Sequence, residues 1–232
     1  MNRLFIGVIS LLSVLLCVIV LFFSENNSEP VSVDAETRGL YIILDAGHGG
    51  MDSGTSAVDG TREKDINLII TKKLNSFLIA SGYKTVMLRT DDELIGDNSL
   101  STIRARKVSD IRKRLGISES YPDAVLVSIH QNHFSAPKYS GTQVFYSSNS
   151  PESNLLAQSV QDSVVNMLQN DNNRKIKAVG SNIYLLYNCT LPAIMVECGF
   201  LSNLAETEKL KTDSYQTQMA FAIMQGIINY LE

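Results

Sequence analysis

Three short runs in this chain are apolar at nearly every position: Leu40 to Leu44 (LYIIL), Ala124 to Ile129 (AVLVSI) and Ala193 to Val196 (AIMV). Successive apolar residues suit a strand only when both of its faces are covered, so these runs call for a sheet with helices on either side. The segments between them carry the helical period that such a sheet needs. Ile66, Ile69, Ile70, Leu74, Phe77 and Leu78 recur at helical spacing and stop at Gly82, while Met219, Ala222, Ile223, Ile227, Tyr230 and Leu231 share one face of a last helix. Thr102 to Leu115 reads as a basic helix with a solvated face formed by Arg104, Arg106, Lys107, Arg112, Lys113 and Arg114. Further strands are expected at Lys84 to Leu88, Gly141 to Tyr146 and Ile183 to Leu186. A helix is expected to open at Pro151, with Ser150 as its N-cap. The alternation predicts a three-layer α/β domain with a mostly parallel central sheet flanked by helices.

Ahead of this domain, Leu4 to Phe23 carries no charge and no proline over a length that spans a bilayer as a helix. Arg3 precedes it, and Glu25, Glu29, Asp34 and Glu36 follow. The positive-inside rule then keeps the N-terminus cytoplasmic and sends the remainder across. The expected organisation is a membrane anchor over 1–24, a flexible tether over 25–38 and a functional domain over 39–232, membrane-anchored and extracytoplasmic in location.

Composition removes several classes of function. Lys+Arg 20 against Asp+Glu 24 gives a net charge of -4, without the basic excess that phosphate backbones require, so nucleic acid is not an expected partner. Three cysteines with no Cys-x-x-Cys pair make neither a disulfide framework nor a four-cysteine metal module. Gly47, Gly49, Gly50 and Gly54 lack the lysine and the last glycine of a phosphate cradle. Asp52-Ser53-Gly54-Thr55 matches an aspartic-protease triplet but has no second copy, so a turn is expected there.

Ligands of such sheets bind beyond the carboxyl ends of the strands, and the polar residues there are informative. His48 and His130, two of the three histidines, closely follow apolar runs; Glu197 closes a third, and Glu63 starts the first amphipathic helix. Each alone suits a capped turn or a solvated strand end. Together, two imidazoles and one carboxylate suffice for a catalytic Zn²⁺ with an open position, leaving the other carboxylate as a base. Ser128, within a buried strand, is expected to be satisfied by backbone. Cys198, near the same edge, admits a nucleophilic alternative.

Four segments in order, ILDAGHGGMDSGT, TREKDINL, VSIHQNHF and PAIMVECGFLSN, resemble the zinc-dependent N-acetylmuramoyl-L-alanine amidases of the amidase-3 family, over about Leu40 to Glu232. The resemblance implies one zinc held by His48, Glu63 and His130, with Glu197 as the catalytic carboxylate, and it alone separates ligand from base. It implies hydrolysis of the amide between N-acetylmuramic acid and L-alanine in peptidoglycan, acting on a glycan strand with its stem peptide, with an accessory activator protein as a further partner. A short, anchored form without wall-binding repeats is similar to the sporulation and germination members, which implies a task in spore cortex towards muramic δ-lactam. His133 and Phe134 follow Asn132 where the family usually has small residues, and His133 is assigned no ligand role. The other readings are a zinc-free peptidoglycan-binding module and a cysteine peptidase using Cys198.

Overall fold

A computed structural model describes residues 39–232. The expected anchor and tether lie outside them, and no described helix is long and apolar enough to cross a membrane. The elements in chain order are β1 (Tyr41–Ala46), α1 (Glu63–Ala80), β2 (Lys84–Met87), α2 (Ile103–Glu119), β3 (Ala124–Asn132), β4 (Gln143–Tyr146), α3 (Glu152–Leu168), β5 (Lys177–Ala178), α4 (Tyr184–Asn188), β6 (Ala193–Phe200), α5 (Leu204–Leu210) and α6 (Asp213–Leu231).

The sheet runs β2-β1-β3-β6-β4-β5. The first four strands are mutually parallel, β4 is antiparallel to β6, and β5 follows β4. Strand alternation sorts the apolar runs onto two cores. Ile43, Ala124, Leu126, Ala193 and Met195 face one layer, where α4 contributes Leu185 and Leu186 and α2 adds Ile111 and Leu115. The intervening residues Ile42, Leu44, Val125 and Val127 are equally buried and face the opposite layer, in which α6 packs on α1 and α3. This is the three-layer, mostly parallel architecture that doubly apolar strands require.

Several local expectations are corrected. Ile183 to Leu186 is not a strand: Tyr184–Asn188 forms a short helix whose consecutive Leu185 and Leu186 are both buried in the core, an outcome that periodicity cannot separate from a strand in so short a run. Pro151 itself occupies the N-cap position of α3. The Ser150 hydroxyl turns to Glu152 Oε2 at 2.5 Å instead of capping a backbone N–H. Two elements arise that the pattern did not announce, the two-residue β5 and the seven-residue α5.

Candidate metal centre

β1 and β3 run side by side, with Asp45 beside Ser128 and Ala46 beside Ile129. Their carboxyl ends therefore bring the loop that starts at Gly47 next to His130. His48 occupies a left-handed backbone conformation, φ 64, which an L residue adopts only under constraint. The constraint is visible in the carbonyls of that loop. Arg89 donates from Nε to Ala46 O (2.7 Å) and from Nη2 to Gly47 O (3.0 Å). Arg114 donates from Nη1 to Ala46 O (2.9 Å) and from Nη2 to His48 O (2.8 Å).

Arg114 corrects the expectation of a solvated basic face, since it is 1% exposed while Arg104, Lys107, Arg112 and Lys113 are exposed. Its guanidinium pairs with Asp45 and, at 2.7 Å, with Asp110 one helical turn back. Asp45 in turn accepts from the Ser128 hydroxyl at 2.5 Å, so Ser128 is satisfied by a side chain rather than by backbone. Burial alone would raise the Asp45 carboxyl, but Arg114 holds it below its ordinary value.

Above this base, three side chains from three elements converge. His48 Nε2 lies 3.2 Å and His130 Nδ1 2.9 Å from the same oxygen, Oε1 of Glu63. The two imidazole centroids are 5.0 Å apart and nearly perpendicular. Among the described residues these three alone form a group able to hold a metal ion, their donor atoms lying within 4.8 Å of one another. Glu63 is fixed by its second oxygen, Oε2, which accepts from Thr55 N–H at 2.8 Å. Although burial acts to raise its pKa, the two histidines hold its carboxyl far below the usual range. Glycine is required at two points of this cradle: a Cβ on Gly47 would sit 2.2 Å from His130 Nε2, and one on Gly54 would sit 2.4 Å from Glu63 Oε2.

Asp52, which the sequence placed in a turn, does form that turn, exchanging backbone hydrogen bonds with Gly49. It also does more. Its Oδ2 takes the His48 Nδ1 side at 2.9 Å, leaving Nε2 for the centre, and its Oδ1 pairs with Lys107 at 2.8 Å. Burial acts to lower the pKa of His48, yet hydrogen bonds to Asp52 and Glu63 raise it to about 9. A carboxylate behind a histidine is the usual device for orienting a metal ligand.

Glu197 stands beside His130 in the β3–β6 register, on the same wall of a cleft of about 430 Å³ that Gly47, His48, Lys107 and Tyr184 also line. Its Oε2 is buried with no hydrogen-bond partner. Burial pushes its carboxyl up to about 7, within the range of a group that takes and returns protons near neutrality. Cys198, next in sequence, points to the other side of the sheet. It is fully buried and its thiol is driven well above its ordinary value, the opposite of an activated nucleophile. Cys189 is likewise free and buried, and His133 is exposed outside the cluster.

The structure thus assembles His48, Glu63, His130 and Glu197 at one edge. Sequence reasoning missed the supports: Asp52 as a histidine orienter, Arg89 and Arg114 as loop clamps. Arg114 offered one faint signal, its place beside Ile111 and Leu115 on the apolar side of α2.

Two imidazoles and a carboxylate at the carboxyl edge of such a sheet, with a second buried carboxylate beside them, are the donor set of a metal-assisted hydrolase. Residues 42–229 match the family described as N-acetylmuramoyl-L-alanine amidase, and the chain belongs to that family. It is 35% identical, over 210 residues, to the germination-specific N-acetylmuramoyl-L-alanine amidase of Bacillus subtilis (strain 168), covering 90% of this chain and 86% of that one. Among solved structures, it superposes on the CwlD amidase of Clostridioides difficile, determined in complex with the GerS lipoprotein, with a TM-score of 0.79 and 38% identity, covering 82% of this chain and 98% of that one. An N-acetylmuramoyl-L-alanine amidase from Clostridium difficile 630 gives a TM-score of 0.73 at 31% identity, with 84% and 97% covered.

Proposed function

We propose that this amidase is zinc-dependent, with one Zn²⁺ held by His48, Glu63 and His130, and that Glu197 carries the proton during hydrolysis of the bond between N-acetylmuramic acid and L-alanine. The donor set suits zinc: two imidazoles and a carboxylate make a three-ligand catalytic site with a position open for substrate or water. When bound, the ion supplies Lewis acidity, polarising the scissile carbonyl and making water nucleophilic near neutral pH. The observation that carries the reading is Glu197, whose buried Oε2 lacks any protein partner beside the three candidate ligands. In its ionised form Glu197 takes a proton from the attacking water and delivers it to the leaving L-alanine nitrogen. Asp52 holds the His48 ring, and the clamped loop keeps His48 in its left-handed conformation without reorganisation during turnover.

The biological setting belongs to the same proposal. The germination-specific Bacillus relative and the CwlD likeness support action on spore cortex peptidoglycan, towards muramic δ-lactam. The GerS complex of that relative supports an accessory protein partner for this chain. The apolar segment over 4–23 supports a membrane anchor that presents the domain on the extracytoplasmic side.

Purified full-length protein, loaded with zinc in detergent and given peptidoglycan, is expected to release stem peptides beginning at L-alanine, read by mass spectrometry. Release should vanish with chelator and with Glu197→Gln, and persist in Cys198→Ala. Release that survives chelation but not Cys198→Ala would replace the reading with a cysteine peptidase. Peptidoglycan binding without release by the zinc-loaded protein would leave a binding module.

A further inference from the structure

The buried face of α1 carries an amide where the helical period calls for a hydrocarbon. Asn67 lies on the side of the helix that Ile70 and Leu74 share, and it is fully buried. Asparagine is a poor helix former, and burying its amide is unfavourable unless its polar atoms are paired. Here each of them is. Nδ2 donates to Gly47 O at 3.2 Å and, over a longer 3.4 Å, to Glu63 Oε1 one turn back; Oδ1 accepts from Gln131 Nε2 at 3.2 Å.

These partners sit at the three candidate ligands. Gly47 precedes His48, Glu63 is itself one of the three, and Gln131 follows His130. Successive strand residues point to opposite faces, so β3 turns His130 into the cleft and Gln131 under α1, where it meets Asn67. A single side chain thus joins the β1 loop, α1 and β3. Satisfying the acceptors does not require it: Gly47 O already accepts from Arg89 Nη2 at 3.0 Å, and Glu63 Oε1 from the Gln131 backbone N–H at 3.1 Å. Gln131 Oε1 is itself buried without a partner. An apolar pair at 67 and 131 would leave fewer polar groups to bury. What the two amides add is a fixed spacing between the segments that carry the donors.

We infer that Asn67 is a positioning residue: it preorganises the metal centre by holding Glu63 Oε1 towards His48 and His130, with Gln131 as its tether to β3. The inference rests on the zinc reading for what the three donors receive. Hydrogen bonds that orient a ligating group from behind are worth about 10- to 100-fold in metal affinity. Asn67 acts on two of the ligand-bearing segments directly and on the third through Gln131, so its loss loosens all of them together.

Zinc affinity of the purified full-length protein in detergent is measured by competition with a chelating dye, for the wild type, Asn67→Leu and Thr71→Val. Thr71 is the control: it is fully buried one turn further along α1, and its hydroxyl is spent on the Asn67 carbonyl at 2.7 Å. Asn67→Leu keeps a similar shape without the three bonds and is expected to raise the zinc Kd by about 10- to 100-fold. It should also alter the visible absorption of the cobalt(II)-substituted protein, while Thr71→Val leaves both readings at wild-type values. Gln131→Leu should give a smaller rise, and the double variant no more than Asn67→Leu alone, because the two amides act as one link. In metal-free protein, the hydrogen-bonded amides of Gly49, Asp52 and Thr55 should exchange about tenfold faster in Asn67→Leu, the weight of one hydrogen bond, and at the wild-type rate in Thr71→Val. Unchanged zinc affinity in folded Asn67→Leu would overturn the inference, as would an equal loss in Thr71→Val, which would assign the effect to helix packing. If thermal midpoints show that Asn67→Leu does not fold, Gln131→Leu decides, and unchanged affinity there overturns it. A wild type that binds no zinc, with loop exchange quickened in Asn67→Leu alone, would sink the zinc reading and leave the positioning role standing; with exchange unchanged, the role falls too.

Discussion

Glu197 sets a cost against a gain at a single carboxyl. Burial raises its pKa from 4.5 to about 7, so between those values the folded metal-free protein binds a proton that the unfolded chain has released. Stability contributed by that proton is present below about pH 4.5 and is lost as pH rises through about 7. Glu197→Gln never ionises and escapes the loss. Metal-free Glu197→Gln is therefore expected to be more stable than the wild type at pH 8, by roughly 1–3 kcal/mol, and the difference should close towards pH 4.5. Denaturant unfolding of both proteins across that range checks it; a gap that widens on acidification would contradict the assigned shift. The same substitution should cost about 10²- to 10⁴-fold in turnover, so stability and activity move in opposite directions at this position, as is usual for a group kept in a strained setting for chemistry.

At the scale of elements, the glycine loop after β1 is held by α2 and by the segment that follows β2, through two guanidinium groups. Arg114→Met would leave Asp45 ionised and buried without its cation. Removal of one partner of a buried pair costs about 3–5 kcal/mol, a fall in Tm of roughly 10 °C for a domain of this size. The companion Asp45→Asn should recover much of that loss in the double variant, because the orphaned charge is gone. Scanning calorimetry of the two single variants and the double variant distinguishes this from simple loss of packing, in which the losses would add. Lysine at 114 is not an equivalent, since an ammonium cannot serve Asp45, Asp110 and two carbonyls from a planar fork. Little of this was legible from α2 alone, beyond the place of Arg114 beside Ile111 and Leu115. Arg114 resembles its five basic neighbours in sequence, and its partner Asp45 lies 69 residues away, so only the parallel pairing of β1 with β3 and the docking of α2 reveal which arginine turns inward.

For the whole molecule, the three candidate ligands come from the β1 loop, the first turn of α1 and the end of β3, so an ion held there ties three separate elements together. Ligand that binds only the folded state stabilises it by about 4 kcal/mol at a thousand-fold excess over Kd. The Tm of chelated protein is expected to rise with the logarithm of added zinc, and His130→Ala should flatten that dependence. The fold was readable where its causes are local: doubly apolar runs gave the sheet, and the 3.6 period gave α1 and α6. The candidate site was readable because strand ends are where such sheets place polar chemistry. What escaped was set at long range or was too short for a period, namely α4, β5, α5, the guanidinium clamps and the hold of Asp52 on His48.

The reversed direction of β4 also bears on how such a chain can diversify. β6 lies between β3 and β4 in the sheet, so residues 133–142, joining the last two, leave and re-enter at the same edge and arch over the end of β6. A segment with both ends anchored at one edge can gain or lose residues at small entropic cost, each doubling in length adding only about 0.6 kcal/mol, and without shifting any strand register. Descendants of this fold can therefore rebuild the wall beside Glu197 by insertion or deletion in that arch while inheriting the candidate centre at the strand ends intact.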